Sequence, residues 1–393
     1  MSAPSPTPAP AVRAAGEDDF SLPAWIYRDA DFFEAEKQSV FRRSWQLVCH
    51  LSDVPRAGDW QTLDLLGESV LTLRGADGVV RSFHNVCRHR ASRLVDGTQG
   101  NCGSRIVCPY HAWTYATDGR LVGVPQRASY PGLDPARFGL APIEQEIWQG
   151  FVFVRFAPGT PSVAEMAAPY AAELAACRFE ELVPLGTVRL RPREVNWKNV
   201  ADNYSDGLHI PVAHPGLTGL FGRSYGVEAR DWIDKMWGTL REAPAGGWSL
   251  PAYRHLMAGL GVAGSGWNYY KFWPNVALDV YPDQVDFLQF IPVSPTRTLI
   301  REIAYAHPDA RREMRVARYL NWRINRRVNL EDKALIERVQ AGMSSSSYVA
   351  GPLGEGEVCL RSFGRRMRAL IPECREPAAP PPGWSRSCAS RTG

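Results

Sequence analysis

The sequence predicts an α+β protein in which a small antiparallel β domain precedes a larger domain of mixed helix and sheet. Three observations carry that expectation. Between Gln46 and Phe156, short β-rich runs such as SVLTLR and GFVFVRF alternate with turn signals, among them Ala76-Asp77-Gly78 and Thr117-Asp118-Gly119. Later, the runs YYKFWPNVALDVYP, VDFLQFIPVS and TLIREIAYAH read as the strands of a second sheet. Between and after these strands the apolar spacing turns helical, most clearly over Arg311 to Gly342.

In chain order, residues 1–20 read as a disordered arm, because Pro, Ala and Ser cannot bury enough apolar surface to offset ordering. Residues 21–44 hold an N-terminal helix: from Asp31 to Trp45, Phe32, Phe33, Val40 and Phe41 are interleaved with charges at helical spacing. The antiparallel β domain spans 45–156. A Pro- and Ala-rich stretch around Ala157 to Pro169 marks the boundary of the second domain, 157–375, which opens with a helix and a strand near Gly186 to Arg193. A Gly- and Trp-rich loop region extends to about residue 266, and the Pro-rich tail 376–393 reads as disordered.

The 393 residues carry a net charge of +4 with 22% charged side chains, so no field of one sign argues for nucleic acid or a membrane surface. The N-terminus lacks a signal-peptide apolar segment and no run reaches the length of a membrane span, which places the chain in the cytoplasm. Its eight cysteines are scattered and do not form a disulfide framework; in a reducing compartment, clustered Cys and His point to metal.

Two such clusters stand out. NVCRHRAS and IVCPYHAW place Cys87 with His89 on one loop and Cys108 with His111 on another. A Rieske [2Fe-2S] centre needs two thiolates on one iron and two imidazoles on the other, so each loop supplies one of each. The alternative is a Cys2His2 zinc site, although this spacing is not the usual finger pattern. The second cluster lies in NWKNVADNYSDGLHIPVAHP, where Asp206, His209 and His214 fall within nine residues and offer two imidazoles and a carboxylate to a non-haem Fe(II). Satisfied core or surface histidines are the alternative there.

With both motifs in this order, the chain resembles the α subunit of a Rieske non-haem iron oxygenase from about residue 25 to 372. The resemblance implies an N-terminal antiparallel β Rieske domain and a C-terminal helix-grip catalytic domain with a central antiparallel sheet. It implies cluster binding by Cys87, His89, Cys108 and His111, and mononuclear iron binding by His209 and His214. The third iron ligand is then Asp332 in NLEDKALIERVQAG, with Glu331 the fallback and a solvated helix charge the alternative for both. Asp206 becomes a bridging carboxylate between His209 and the cluster ligand His111 of a neighbouring subunit. Asn203, with Asp202, matches positions close to the metal, where Asn203 is the second catalytic candidate. Trp197, Tyr204 and Trp113 read equally as packing residues; Arg88 and Arg90 suit contact with an acidic ferredoxin, with a plain solvated surface the alternative.

The implied reaction is hydroxylation of a small organic substrate by activated O2. Electrons come from NAD(P)H through a separate ferredoxin and/or flavin reductase, within a head-to-tail ring, a homotrimer. Asp332, Gln340, Tyr348, Gly351-Pro352-Leu353 and Glu357 are similar to α-only monooxygenases of choline, betaines, stachydrine and carnitine. Trp237, Trp248, Trp267, Tyr269, Tyr270 and Trp273 are expected at the pocket, where an aromatic cage holds a cation or equally stacks on an aromatic substrate. Cis-dihydroxylation of an aromatic ring is the alternative activity, and a non-catalytic zinc or Fe-S binding protein the remote one.

Overall fold

A computed structural model describes residues 16–261 and 266–386. The expected disordered arm and tail therefore fall in part, at 1–15 and 387–393, outside the described residues. The remainder of the tail is engaged: the Gly383 amide and Ser385 hydroxyl donate to Asp31, and the Trp384 ring packs edge-on against Trp25. The N-terminal helix is shorter than its pattern suggests, Ala30–Ser39 followed by a separate 3-10 turn at Phe41–Arg43. Asp29 caps it, accepting from the Phe32 amide at 2.7 Å.

All sheets are antiparallel. In the N-terminal part, four strands run in the order Val80–His84, Glu68–Arg74, Asp59–Leu65 and Gln99–Asn101. A three-stranded sheet of Arg105–Val107, Thr114–Ala116 and Leu121–Gly123 faces them. Between the two, Trp60, Leu71, Phe83, Ile106 and Tyr115 form a buried core that includes Cys87 and Cys108.

The later strands form one eight-stranded sheet whose centre is Ile233–Thr239, Gly266–Phe272, Val276–Val280, Val285–Ser294 and Arg297–Ala306. The region expected to be loop up to residue 266 instead contributes Gly226–Ala229 and Ile233–Thr239 to this sheet, and a helix at Ser249–Gly259. Short alternating runs interrupted by Gly and Trp hide strands whose partners are distant in sequence.

Two helices pack together on this sheet, Trp197–Ser205 and the 31-residue Arg312–Gly342. Asn199 and Asn203 are four residues apart and so share a face of the first. Asn199 donates to Gln340 at 2.9 Å and Asn203 to Asp332 at 2.7 Å, which sets the helices antiparallel and pins Asp332 beside the histidine segment. Gln340 also accepts from the backbone of the N-cap Asn196 at 2.7 Å. On the opposite side of the shorter helix, Lys198 forms an ion pair of 2.7 Å with Glu36 of the N-terminal helix, both side chains being shut off from solvent.

Candidate metal centres and substrate cavity

The Cys87–His89 loop follows the strand Val80–His84, and the Cys108–His111 loop joins Arg105–Val107 to Thr114–Ala116. Each is a tight turn closed on its own cysteine. The Ala91 amide donates to the Cys87 carbonyl at 3.1 Å, and the Ala112 amide to that of Cys108 at 3.0 Å; both alanines are left-handed at φ 55°. The thiols are buried while the imidazoles are half-buried, with ring centroids of His89 and His111 4.6 Å apart. Trp113 lies flat on His89, centroids 4.8 Å apart, which answers its sequence ambiguity: it packs, and what it packs is a cluster candidate.

The donor set suits a cluster. Burial works to raise both thiols and prevails at Cys87, whereas the amides of Tyr110 and His111 aimed at the Cys108 sulfur hold that thiol below its ordinary value. The Tyr115 hydroxyl lies 3.3 Å from Cys87 Sγ, a contact not anticipated from sequence. His89 Nδ1 is buried without a hydrogen-bond partner, as expected of an atom meant for a metal.

The second centre forms where the histidine segment breaks. Pro215 disfavours helical geometry at His214, which sits at φ −120° between the turns Ile210–Ala213 and Pro215–Phe221. This brings His214 Nε2 to 3.2 Å from His209 Nε2 and 2.9 Å from Asp332 Oδ1, with His209 Nε2 3.6 Å from the same oxygen. The three candidate donor atoms lie within 4.8 Å of one another. Burial opposes charge at all three, but mutual hydrogen bonds prevail: His209 is pushed up to about 9 by Asp206 and Asp332, and Asp332 held down to about 2 by the histidines and Asn203.

Asp206 lies off this triad. It accepts from His209 Nδ1 at 3.0 Å and from the Leu208 amide at 2.7 Å. Glu331 also lies off it, 2.9 Å from His214 Nδ1, a relationship missed in the sequence. Asp202 turns away altogether and accepts from the Tyr27 hydroxyl at 2.7 Å.

A cavity of about 940 Å³ opens over Asn203, Asp206, His209, His214 and Asp332. Of the six aromatics expected there only Tyr269 lines it. Strand alternation turns Tyr270 into the opposite core with Phe272, while Trp267 is buried against Tyr253 and Trp273 against Phe363. Trp237 does not line it, and Trp248 borders a separate cavity. The walls are instead Tyr204, Tyr225, Tyr269 and Tyr281, with Asp279 accepting from both the Tyr204 and Tyr281 hydroxyls. Burial pushes the Asp279 carboxyl up to about 7 against the lowering effect of those hydroxyls. Arg189, Arg191 and Arg315 also line the cavity.

Among the described residues no helix is long and apolar enough to cross a membrane. Residues 44–138 match the Rieske [2Fe-2S] domain, and residues 179–373 match the ring hydroxylating alpha subunit (catalytic domain). These matches settle the zinc alternative in favour of a Rieske cluster with a mononuclear iron. The carnitine monooxygenase oxygenase subunit of Escherichia coli (strain K12) is 30% identical over 358 residues, covering 88% of this chain and 90% of that protein. The glycine betaine monooxygenase oxygenase subunit of Pseudomonas aeruginosa (strain UCBPP-PA14) is 35% identical over 210 residues, 51% of this chain and 46% of that protein. In fold, the quaternary ammonium Rieske monooxygenase CntA in complex with L-carnitine superposes with a TM-score of 0.75 at 24% identity, over 90% of this chain and 97% of that one. Naphthalene 1,2-dioxygenase with indole bound gives 0.75 at 20% identity, over 95% and 96%.

Proposed function

Because the chain belongs to the Rieske oxygenase family of ring-hydroxylating α subunits, we propose that it is the terminal oxygenase of a system that oxidises a small quaternary amine bearing a carboxylate. One observation carries the substrate class: a tyrosine-walled cavity with Asp279 in its wall, directly over His209, His214 and Asp332. Tyrosine π-faces attract a cation, and a buried carboxylate adds charge that a neutral aromatic hydrocarbon leaves unmatched. Arg189 and Arg315 on the same lining suit a carboxylate at the other end of the molecule, whereas Arg191 is paired with Glu302. The relatives named for carnitine and glycine betaine act on molecules of this kind.

In this reading His209, His214 and Asp332 hold the mononuclear iron, and Cys87, His89, Cys108 and His111 hold the cluster. When bound, the two groups supply dioxygen activation and the electrons for it, which a separate reductase draws from NAD(P)H. The protein's own contribution is orientation. Asp206 accepts the Nδ1 proton of His209, leaving Nε2 as the free lone pair facing the cavity. Asn203 donates to Asp332 Oδ1, the same carboxylate oxygen that faces the two histidines. Asp206 also links to His111 of the partner subunit in a head-to-tail trimer, a role supported by its partial exposure at the edge of the site.

The test is a panel of betaines, choline, carnitine and aromatic acids with a surrogate reductase, scored by substrate-coupled oxygen uptake and product mass. Turnover confined to carboxylated quaternary amines is expected; turnover of aromatic acids alone overturns the substrate class. Purified protein carrying zinc without inorganic sulfide overturns the assignment of the cluster ligands.

A further inference from the structure

We infer that Glu331, held by Arg327, is a positioning residue for the second iron histidine, forming a clamp on His214 that is distinct from the one Asp206 forms on His209. The inference rests on His209, His214 and Asp332 being the iron ligands. Glu331 Oε2 lies 2.9 Å from His214 Nδ1, while its other oxygen, Oε1, accepts from Arg327 Nε at 2.9 Å. Both carboxylate oxygens are thus engaged, and the imidazole they address is buried. With Nδ1–H donated to Glu331, His214 presents Nε2 as its lone pair, 2.9 Å from Asp332 Oδ1. Glu331 and Asp332 are adjacent in the helix, so one turn carries both a candidate ligand and the group that fixes the tautomer of another.

The two clamps face different surroundings. Asp206 lines the substrate cavity, whereas Glu331 and Arg327 line a second cavity of about 550 Å³ bounded by Pro215, Trp248 and Trp322. Glu331 is absent from the substrate cavity lining, and its side chain reaches the iron site from behind, through His214.

Losing an outer carboxylate on a metal-bound histidine weakens metal binding about 10- to 100-fold. The experiment compares wild type, Glu331→Gln, Glu331→Ala and Arg327→Ala, each loaded with cluster and iron. The readouts are the rate of Fe(II) loss to a chelator and the paramagnetic signal of the Fe(II)–nitric oxide adduct. We expect Glu331→Ala to lose iron about 10- to 100-fold faster with an altered nitrosyl signal, Arg327→Ala to lie between it and wild type, and Glu331→Gln, which still accepts from Nδ1–H, to stay nearest wild type. The Rieske spectrum is unchanged in all of them. Wild-type iron loss and an unaltered nitrosyl signal in Glu331→Ala overturn the inference. Should that variant fail to fold, Arg327→Ala decides it: faster iron loss with a shifted nitrosyl signal supports the clamp, and wild-type behaviour in both readouts overturns it. If wild type itself holds no iron beyond the cluster, or keeps it in Asp332→Ala, the ligand set is wrong, an outcome separate from failure of the clamp.

Discussion

His209 and His214 face each other through their Nε2 atoms, 3.2 Å apart, and turn their Nδ1 atoms outward onto two different carboxylates, Asp206 and Glu331. Two imidazole nitrogens and a carboxylate oxygen brought this close form a donor set that could hold a metal ion. Replacing Asp332 or His214 with Ala is therefore expected to remove the mononuclear iron and substrate-coupled oxygen uptake while the cluster remains. Iron-to-sulfide ratio and the Rieske spectrum check this. Metal-free His209 keeps its proton up to about 9, and a ligating imidazole must be neutral, so iron uptake releases a proton and apparent affinity falls as pH drops below that value. Fe(II) titrations at several pH values read the sign directly.

Asp206 separates electron delivery from metal binding. Asp206→Asn preserves the shape of the side chain that meets His209 Nδ1 but removes its charge. Both metals are expected to stay bound while substrate-coupled oxygen uptake drops by about 100-fold, the upper range for an outer-shell carboxylate. The check is a single turnover of the pre-reduced protein: with oxygen and substrate present, the cluster of the variant should remain reduced. Near-normal turnover would sink the bridging role.

How much of this was legible in the sequence depends on how local each feature is. Cys87 with His89, Cys108 with His111, and His209 with His214 are short-range spacings, and the structure draws each set together. Asp332 needed the family resemblance, since nothing local separates it from Glu331. Neighbours on a helix point about 100° apart, and the Asn203 and Gln340 contacts between the two helices turn Asp332 to the histidine Nε2 atoms and leave Glu331 on the outer Nδ1 of His214. The cavity walls were read least well. Strand periodicity marks Tyr269 and Tyr270 as facing opposite sides but not which side holds the cavity, and neither Asp279, within the strand Val276–Val280, nor Tyr281, just past its end, carried a signal of its own.

The Lys198–Glu36 pair ties the histidine helix to the N-terminal helix with no solvent access. Burial pushes both groups toward neutrality, raising Glu36 and lowering Lys198, and each is held charged mainly by the other. Lys198→Met is expected to destabilise the fold by ~3–5 kcal/mol, since it leaves a buried carboxylate unpaired. Adding Glu36→Gln to that variant should recover most of the loss. Denaturant unfolding of the two variants checks it, and equal destabilisation in both would show that packing around Lys198, rather than charge, holds the helices together.

Asp279 gives the cavity a pH dependence whose sign is fixed. Its folded pKa of about 7 lies above the ordinary carboxylate value because burial outweighs the hydroxyls of Tyr204 and Tyr281. The native state therefore favours the protonated form, and a stability penalty develops as pH rises from the unfolded carboxylate range through about 7. A bound cation offsets that penalty only when Asp279 is ionised. Affinity for a quaternary amine should accordingly rise as pH increases through about 7, with the ligand-induced rise in Tm larger at pH 8 than at pH 6. In Asp279→Asn the dependence should flatten while the affinity at high pH falls toward the low-pH value of the wild type. Calorimetric titration with a carboxylated quaternary amine across this range checks both halves, and a wild-type affinity that falls with rising pH would rule out Asp279 as the anion that meets the cation.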